Sequence, residues 1–174
     1  MASQGLIEGI PGNIAFKAVY CSRIIDRSRW MRIIGRQERI DLPELGYRAI
    51  KAKVDTGAYG NALHCSEIEV IERDGKEVLT FVLLDESHPK YKEERQYVDV
   101  FTDKLVKNSS GEREHRYTIE TVTVFYGKKT RTCFSLTDRS SMKFPILLGR
   151  KFLKGKYLID VRLKDVSYKK KGKK

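Results

Sequence analysis

Short apolar runs follow one another along the chain from Ile33 onward. They are rich in Val, Ile, Tyr, Phe and Thr and are bounded by turn-forming residues, a pattern typical of β-strands. The predicted strands cover residues 32–40, 47–55, 68–72, 78–84, 97–106, 116–126, 128–136 and 157–161. Helical periodicity is weak, and the best helical segment is 148–153. The pattern therefore predicts an all-β, barrel-like fold.

Two dipeptides in this pattern favour tight hairpins. Asp74-Gly75 separates the predicted strands 68–72 and 78–84, and Tyr126-Gly127 precedes the strand that starts at Lys128. Each places a glycine where a two-residue turn needs a left-handed backbone. A longer loop tip, Asn-Ser-Ser-Gly, is predicted at 108–111.

The predicted strands occupy one continuous stretch of the 174 residues. A chain of this length suits a single domain with a hydrophobic core. Residues 1–32 show little apolar period and form a predicted N-terminal extension. Residues 33–163 form the predicted β domain, and residues 164–174 form a predicted basic C-terminal tail.

The chain is strongly basic, with 35 Lys and Arg against 23 Asp and Glu and a net charge of +12. This charge favours acidic partners such as acidic peptides, anionic lipid or nucleic acid. Part of the excess lies in 169–174, which holds five lysines without interleaved aromatic residues. Such a tail is unspecific, and no RNA-binding motif accompanies it, so a nucleic-acid partner is not expected.

Cysteine usage and hydropathy bear on the cellular compartment. Cys21, Cys65 and Cys133 make an odd count without CxxC spacing, which favours a reducing compartment over a disulfide framework. No apolar stretch approaches the ~18 residues of a membrane helix. Residues 1–20 are interrupted by Glu8 and Pro11, unlike a signal peptide. These features predict a cytoplasmic protein without a membrane partner.

The candidate chemistry centres on Asp55-Thr56-Gly57-Ala58, which follows a predicted buried strand. A carboxylate that activates water must leave the strand and be oriented by backbone donors, and Gly57 allows that turn. The Thr56 hydroxyl is available for a hydrogen bond to the same turn of a second copy of the chain, related by a two-fold axis. The alternative is that Asp55 is a turn carboxylate that only caps local amides.

Several motifs in order give the chain a specific family resemblance. They are the segments 34–36, 42–46, 51–58, 62–64, 108–117, 136–140 with Met142, and 147–150. With these motifs the chain resembles retropepsin-like proteins labelled as ATP-dependent zinc proteases and associated with ATP-grasp glutamate ligases. The sequence departs from that pattern at Tyr59-Gly60-Asn61, where an Arg followed by small hydroxyl residues is expected.

The resemblance implies a closed acid-protease barrel with a short helix after the second motif, 147–150. It also implies that Asp55, with Thr56 and Gly57, forms the catalytic loop of a peptidase acting on peptide or poly-glutamate-like chains. Aspartic peptidases need two carboxylates that share one proton. Because this chain has a single Asp-Thr-Gly motif, the second carboxylate must come from another copy, and a homodimer is predicted.

Seven further residues are candidate substrate contacts: Ala58, His64, Arg113, Arg116, Arg139, Gly149 and Arg150. Arg113 and Arg116, with the 108–111 tip, form either a flap over the cleft or an ordinary exposed hairpin. His64 is a metal ligand, a polar neighbour of the site or a structural histidine, and the structural role is favoured. Arg139 and Arg150 bind either a substrate carboxylate or a structural acid of the protein.

No cofactor is predicted. The chain has only three histidines, no HExxH motif and no GxxxxGK[ST] loop, so neither a zinc site nor a nucleotide site is indicated. Any dependence on ATP would belong to a partner such as an ATP-grasp ligase system. Two functions are favoured, namely a homodimeric aspartic peptidase and a non-catalytic module of the same fold that binds acidic peptides or tails. Nucleic-acid binding through the lysine tail is a third, less favoured alternative.

Overall fold

Extended strands make up most of the chain in the computed structural model, which describes residues 31–107 and 113–171. The strands are β1 (Arg32–Gly35), β2 (Gln37–Leu42), β3 (Tyr47–Val54), β4 (Ala62–Arg73), β5 (Lys76–Leu83), β6 (Arg95–Val98), β7 (Phe101–Lys107), β8 (Arg113–Phe125), β9 (Lys128–Thr137), β10 (Ile146–Leu148) and β11 (Tyr157–Asp160). Within these ranges the helices are short: α1 (Arg150–Leu153), α2 (Val166–Lys171) and a 3-10 turn at Pro43–Leu45. The all-β prediction is confirmed.

A closed barrel organises six of these strands in the order β10, β3, β2, β8, β9 and β4. The short strand β10 closes the ring because it pairs with β3 on one side, in parallel, and with β4 on the other, antiparallel. The fully buried side chains inside include Ile50, Leu63, Phe134 and Ile146. The predicted closed barrel is therefore confirmed.

The sequence pattern of β3 shows how the barrel wall forms. Ile50, Ala52 and Val54 are buried at alternate positions, as expected for a strand with one face inward. Ala49 breaks the alternation with φ of 52°, and its N–H donates to Asp41 Oδ1 at 2.8 Å. This irregularity lets Tyr47 also point inward, three residues before Ile50.

Both predicted hairpin turns are confirmed. Asp74 and Gly75, between β4 and β5, have φ of 54° and 72°. Tyr126 and Gly127, between β8 and β9, have φ of 53° and 72°. Two consecutive left-handed residues define the turn that matches the twist of the joined strands. The 108–111 tip between β7 and β8 lies outside the described residues.

Some strand boundaries differ from the predictions. The predicted strand 32–40 is divided at Arg36, because β1 pairs with β11 whereas β2 pairs with β3. Strand β4 begins at Ala62, well before the predicted 68, since its first residues pair with β9 and β10. Residues 146–148 form β10, and the helix begins only at Arg150. A short apolar run is ambiguous between helix and strand until its neighbours are known.

Helix α2 lies within the segment predicted as a basic tail. Glu38 of β2 is fully buried and its carboxylate accepts hydrogen bonds from the backbone N–H groups of Gly35, Val166 and Ser167 and from the Ser167 hydroxyl. A single carboxylate thus ties β1 and the start of α2 to the barrel wall.

The helices in the described ranges are all too short or too polar to cross a membrane.

Candidate active site

Asp55 stands where β3 leaves the barrel wall. The Val54 N–H donates to the Arg36 carbonyl at 3.0 Å, and the Asp55 N–H donates to the Leu148 carbonyl of β10 at 3.0 Å. The backbone that carries the carboxylate is therefore fixed from two sides. This matches the predicted position of Asp55 at a strand end.

The two carboxylate oxygens of Asp55 have different surroundings. Oδ1 accepts the Gly57 N–H at 2.9 Å and the Ala58 N–H at 3.2 Å. Oδ2 has no hydrogen-bond partner in residues 31–107 and 113–171. A Cβ on Gly57 would lie 3.2 Å from Oδ1 of Asp55, so glycine at 57 avoids a tight contact with the carboxylate. The amides of the loop thus fix Oδ1, while Oδ2 is left able to accept a hydrogen bond from outside the loop.

The junction of β10 and α1 holds the rest of this loop. The N–H groups of Arg150 and Lys151 donate to the Ala58 and Tyr59 carbonyls at 2.9 and 3.0 Å. A Cβ on Gly149 would lie only 2.1 Å from the Gly60 carbonyl oxygen. No real Cβ tolerates such a distance to backbone, so this close approach requires glycine at 149.

Asn61 joins three elements from a buried position. Its amide oxygen accepts the Gly149 N–H at 2.9 Å, and its Nδ2 donates to the Cys133 carbonyl of β9 at 3.0 Å. The departure from the family pattern at Tyr59–Asn61 therefore includes a residue that supports the loop. The sequence departs from the family pattern at this position. The role of Asn61 could not be predicted from neighbouring residues, because its partners are Cys133 in β9 and Gly149 after β10.

Arg150 contacts the Asp55 loop directly. Its Nη1 donates to the carbonyls of Thr56 and Gly57 at 3.0 and 2.6 Å. The guanidinium also lies 5.9 Å from the ring of Tyr59, whose side chain is 67% exposed. Arg150 thus holds the loop in shape. A further contact to substrate stays a prediction.

His64 in β4 and Arg139, two residues after the end of β9, are joined by a hydrogen bond. Buried His64 accepts the Arg139 N–H at Nδ1, 2.9 Å away, and its Nε2 lies 2.6 Å from Asp85 Oδ2. Hydrogen bonds from Ser87 and then from His64 lower the pKa of Asp85. No local pattern indicates Asp85, because only the pairing of β4 with β5 brings it to His64.

The side chain of Arg139 contacts the segment that leads into β10, because its Nε donates to the Phe144 carbonyl at 3.4 Å. Burial lowers the pKa of Arg139, and the charge of Asp55 opposes this effect by raising it. The structure therefore brings together Asp55 to Ala58 with Gly149 and Arg150, and the charge of Arg139 interacts with that of Asp55. His64 contacts the backbone of Arg139.

The remaining candidates, Arg113 and Arg116, lie on β8 in the β7–β8 hairpin. Because the tip of this hairpin is outside the described residues, its role as a flap stays a prediction. A cavity of about 360 Å³ lies beside His64 and is lined also by Asp85, Asp138, Ser140 and residues 65–68. Asp55 is not among its lining residues, so this cavity is not the cleft of the candidate active site.

The zinc ion in the label of the resembling proteins does not fit the residues found here. Both nitrogens of His64 are hydrogen-bonded within the protein. In the described part of the chain no three His, Cys, Asp or Glu side chains are grouped to hold a metal ion.

A comparison with known families decides the membership of this chain. The family model described as "Retropepsin-like aspartic endopeptidase RimB" matches residues 33–170. The chain belongs to the RimB-like family. This confirms the resemblance to retropepsin-like proteins that the motifs around Asp55 and Gly149 indicated.

Curated relatives of this RimB-like chain are longer proteins. A Desulfotalea psychrophila protein named "Probable alpha-L-glutamate ligase" is 37% identical over 136 residues, covering 76% of this chain and 28% of that protein. A Shewanella pealeana protein of the same name is 35% identical over 128 residues, with 74% and 28% covered. The RimB-like chain thus matches about 28% of the length of these relatives. Their names agree with the expected link to glutamate ligases.

A solved structure shares the fold of the RimB-like chain. It is a Legionella pneumophila protein with unknown function, 23% identical, with a TM-score of 0.58. The similarity covers 78% of this chain and 98% of that protein. At this identity the match supports the fold alone.

Proposed function

We propose that this chain is an aspartic-type peptidase that acts as a homodimer on peptide substrates rich in acidic residues. The observation that carries the proposal is the Asp55 carboxylate, with Oδ1 held by the Gly57 and Ala58 amides and Oδ2 open. Each chain supplies one such carboxylate, and a second copy would supply its partner.

The mechanism follows from two carboxylates about 3 Å apart, which cannot both be ionised and therefore share one proton. The ionised Asp55 takes a proton from water, and the oxygen of that water attacks the peptide carbonyl carbon. The protonated Asp55 of the other copy donates to the carbonyl oxygen. When the tetrahedral intermediate collapses, the C–N bond breaks and the leaving nitrogen receives a proton from the dyad. A hydroxyl group of the intermediate gives its proton to the ionised carboxylate, so the dyad again holds one proton.

Acidic substrates are supported by charge and by the names of the relatives. The chain has a net charge of +12, which attracts acidic peptides. The relatives that contain a similar domain are named as alpha-L-glutamate ligases. Ligation of glutamate produces acidic chains joined by amide bonds, and a peptidase with this domain would hydrolyse such products. The partner would accordingly be an ATP-grasp ligase or its glutamylated product.

A non-catalytic binding module is the second candidate. The exposed ring of Tyr59 has the Arg150 guanidinium at 5.9 Å and the Lys151 ammonium at 5.7 Å. A cationic and aromatic surface beside Asp55 suits a bound acidic tail even without hydrolysis. This alternative predicts salt-sensitive binding with no turnover.

The deciding experiment compares the wild type with Asp55→Asn on a fluorescent glutamate peptide and on an acidic protein tail. We expect the wild type to hydrolyse the substrate and Asp55→Asn to lose this activity. The circular dichroism spectrum and the mass of the dimer should be the same for both proteins. Asp74→Asn, in the exposed β4–β5 turn, is the matched control and should keep full activity. Cleavage by Asp55→Asn overturns the proposal, and binding without cleavage by the wild type supports the module.

A further inference from the structure

The imidazole of His64 has one defined protonation pattern. The Arg139 N–H donates to Nδ1 at 2.9 Å, so Nδ1 carries no proton. The proton of the neutral ring therefore sits on Nε2, which donates to Asp85 Oδ2 at 2.6 Å. Asp138 Oδ1 is 3.7 Å from Nδ1, too far for a hydrogen bond, and accepts the Ser140 N–H instead.

The surroundings of His64 make this ring rigid. Its side chain is 4% exposed. The His64 N–H donates to the Pro145 carbonyl at 2.8 Å, and its carbonyl accepts the Leu84 N–H at 3.2 Å. Asp85 is fixed in turn by the backbone N–H and hydroxyl of Ser87. The acceptor offered to the Arg139 backbone therefore has a fixed position.

The Arg139 side chain has unused hydrogen-bonding capacity. Its Nε donates to the Phe144 carbonyl at 3.4 Å. Within the part of the chain that the structure describes, this is the only hydrogen bond of the side chain, and no carboxylate lies within salt-bridge distance of it. A guanidinium has five N–H donors in a planar fork that matches a carboxylate. This partly buried guanidinium contacts the segment that leads into β10, the strand whose Leu148 carbonyl accepts the Asp55 N–H, and is thus suited to bind an acid from outside.

We propose that Arg139 binds an acidic side chain of the substrate next to the bond that Asp55 attacks, and that His64, oriented by Asp85, is the positioning residue that fixes Arg139. The inference rests on the proposed peptidase function and adds its specificity. The turn that carries Arg139 is closed by the Met142 N–H on the Arg139 carbonyl at 2.7 Å. His64 therefore holds the amide end of Arg139 while this turn holds its carbonyl end.

The first arm of the test measures discrimination between glutamate and glutamine. Fluorescein-labelled hexaglutamate and hexaglutamine peptides are compared by fluorescence anisotropy and by hydrolysis with wild type, Arg139→Ala and Arg139→Lys. Arg139→Ala should reduce the preference for hexaglutamate about tenfold or more, because a charge-assisted bidentate contact is lost. Arg139→Lys should keep part of the preference for hexaglutamate, because the positive charge is retained. Arg162→Ala, which removes an exposed arginine paired with Asp160, is the charge-matched control and should change little.

The second arm separates positioning from packing at His64. In His64→Asn the amide oxygen lies near the former position of Nδ1, so an acceptor for the Arg139 N–H is kept. In His64→Gln the amide lies near the former position of Nε2, so only the contact to Asp85 is kept. His64→Asn should therefore retain most of the glutamate preference, whereas His64→Gln should lose it. Equal preference in the two folded variants would overturn the positioning role.

The two proposals fail in different ways. If the wild type hydrolyses neither peptide, the peptidase proposal fails, while anisotropy on the same protein still tests Arg139. If hydrolysis occurs and Arg139→Ala prefers glutamate as strongly as the wild type, the specificity proposal is overturned. Should a His64 variant not fold, as seen by circular dichroism, the Arg139 series alone decides the assignment of Arg139.

Discussion

Gly149 lies where the β10–α1 junction touches the Asp55 loop. The backbone of this residue approaches Gly60 so closely that a methyl group would stand 2.1 Å from the Gly60 carbonyl oxygen and 2.9 Å from the Ala58 carbonyl oxygen. Both contacts are to backbone, which cannot turn away as a flexible side chain can. The shape of the candidate active site therefore depends on the absence of a side chain.

Replacing Gly149 by Ala should displace the Asp55 loop. We expect a loss of unfolding free energy of about 3 kcal/mol, the upper range for forcing a methyl group into a packed site, and loss of peptidase activity. Urea unfolding and hydrolysis assays measure the two effects. Gly60→Ala is the control, because a Cβ there meets nothing within 4 Å. Similar behaviour of the two variants would contradict the role of the close approach.

Asp85 makes a pH-dependent contribution to stability. Its folded pKa is lowered from 3.8, chiefly by the Ser87 hydrogen bond and then by His64. The contribution is therefore complete above the unfolded pKa and is lost as the pH falls through the lowered folded pKa. The difference in unfolding free energy between wild type and Asp85→Asn should shrink on acidification below about pH 4. A difference that stays constant from pH 6 to pH 3 in urea titrations would rule this out.

At the scale of elements, Glu38 links pieces of chain that are far apart in sequence. It is buried in β2, yet it accepts the Gly35 N–H at 2.7 Å and the Ser167 hydroxyl at 2.6 Å. A buried carboxylate is unfavourable unless it is fully hydrogen-bonded. Here the donors come from the end of β1 and the first turn of α2, so the carboxylate orders both elements.

Glu38→Gln should loosen α2 and the end of β1. The new amide group replaces an acceptor by a donor, so about two charge-assisted bonds are lost, and stability should fall by about 3 kcal/mol. Glu72→Gln on the exposed part of β4 removes the same charge and should change stability by under about 0.5 kcal/mol. Hydrogen exchange of the Ser167 amide is the local readout. Unchanged protection there in Glu38→Gln would show that other contacts hold α2.

At the scale of the whole molecule, the barrel presents one Asp55 carboxylate per chain on a loop with an open oxygen. The proposed chemistry needs two such groups facing each other. Isologous pairing of two copies would bring identical loops together across a two-fold axis. Catalytic activity would then be a property of the assembly.

A mixing experiment tests this shared site. Wild type and Asp55→Asn are mixed in equal amounts and co-refolded from urea, so that subunits assort at random. A site built by two copies should leave about one quarter of the wild-type activity, whereas independent sites leave about one half. A mixture prepared without unfolding should keep about one half of the wild-type activity. This control shows whether the Asp55→Asn protein inhibits wild-type dimers without exchanging subunits. About one half after co-refolding, with exchange verified by mass, would contradict the shared site.

Much of this organisation was accessible from local pattern. The runs of β-branched and aromatic residues, the turns at Asp74-Gly75 and Tyr126-Gly127, and the motif at Asp55 carry their meaning within a few residues. They predicted the β-rich class, both hairpins and the loop with its carboxylate. The ordered motifs up to 147–150 added the family and therefore the closed barrel.

Pairing over long distances decided the rest. Strand β10 is three residues long and becomes a strand only because β3 and β4 flank it. Asn61 and Asp85 gain their roles from partners many positions away, Gly149 and His64, which no local spacing reveals. The sequence by itself determined most of the extended segments and the place of the candidate carboxylate, because those properties are local. Only the tertiary structure decided which backbone donors, glycine contacts and cations surround that carboxylate, because they come from strands that meet through folding.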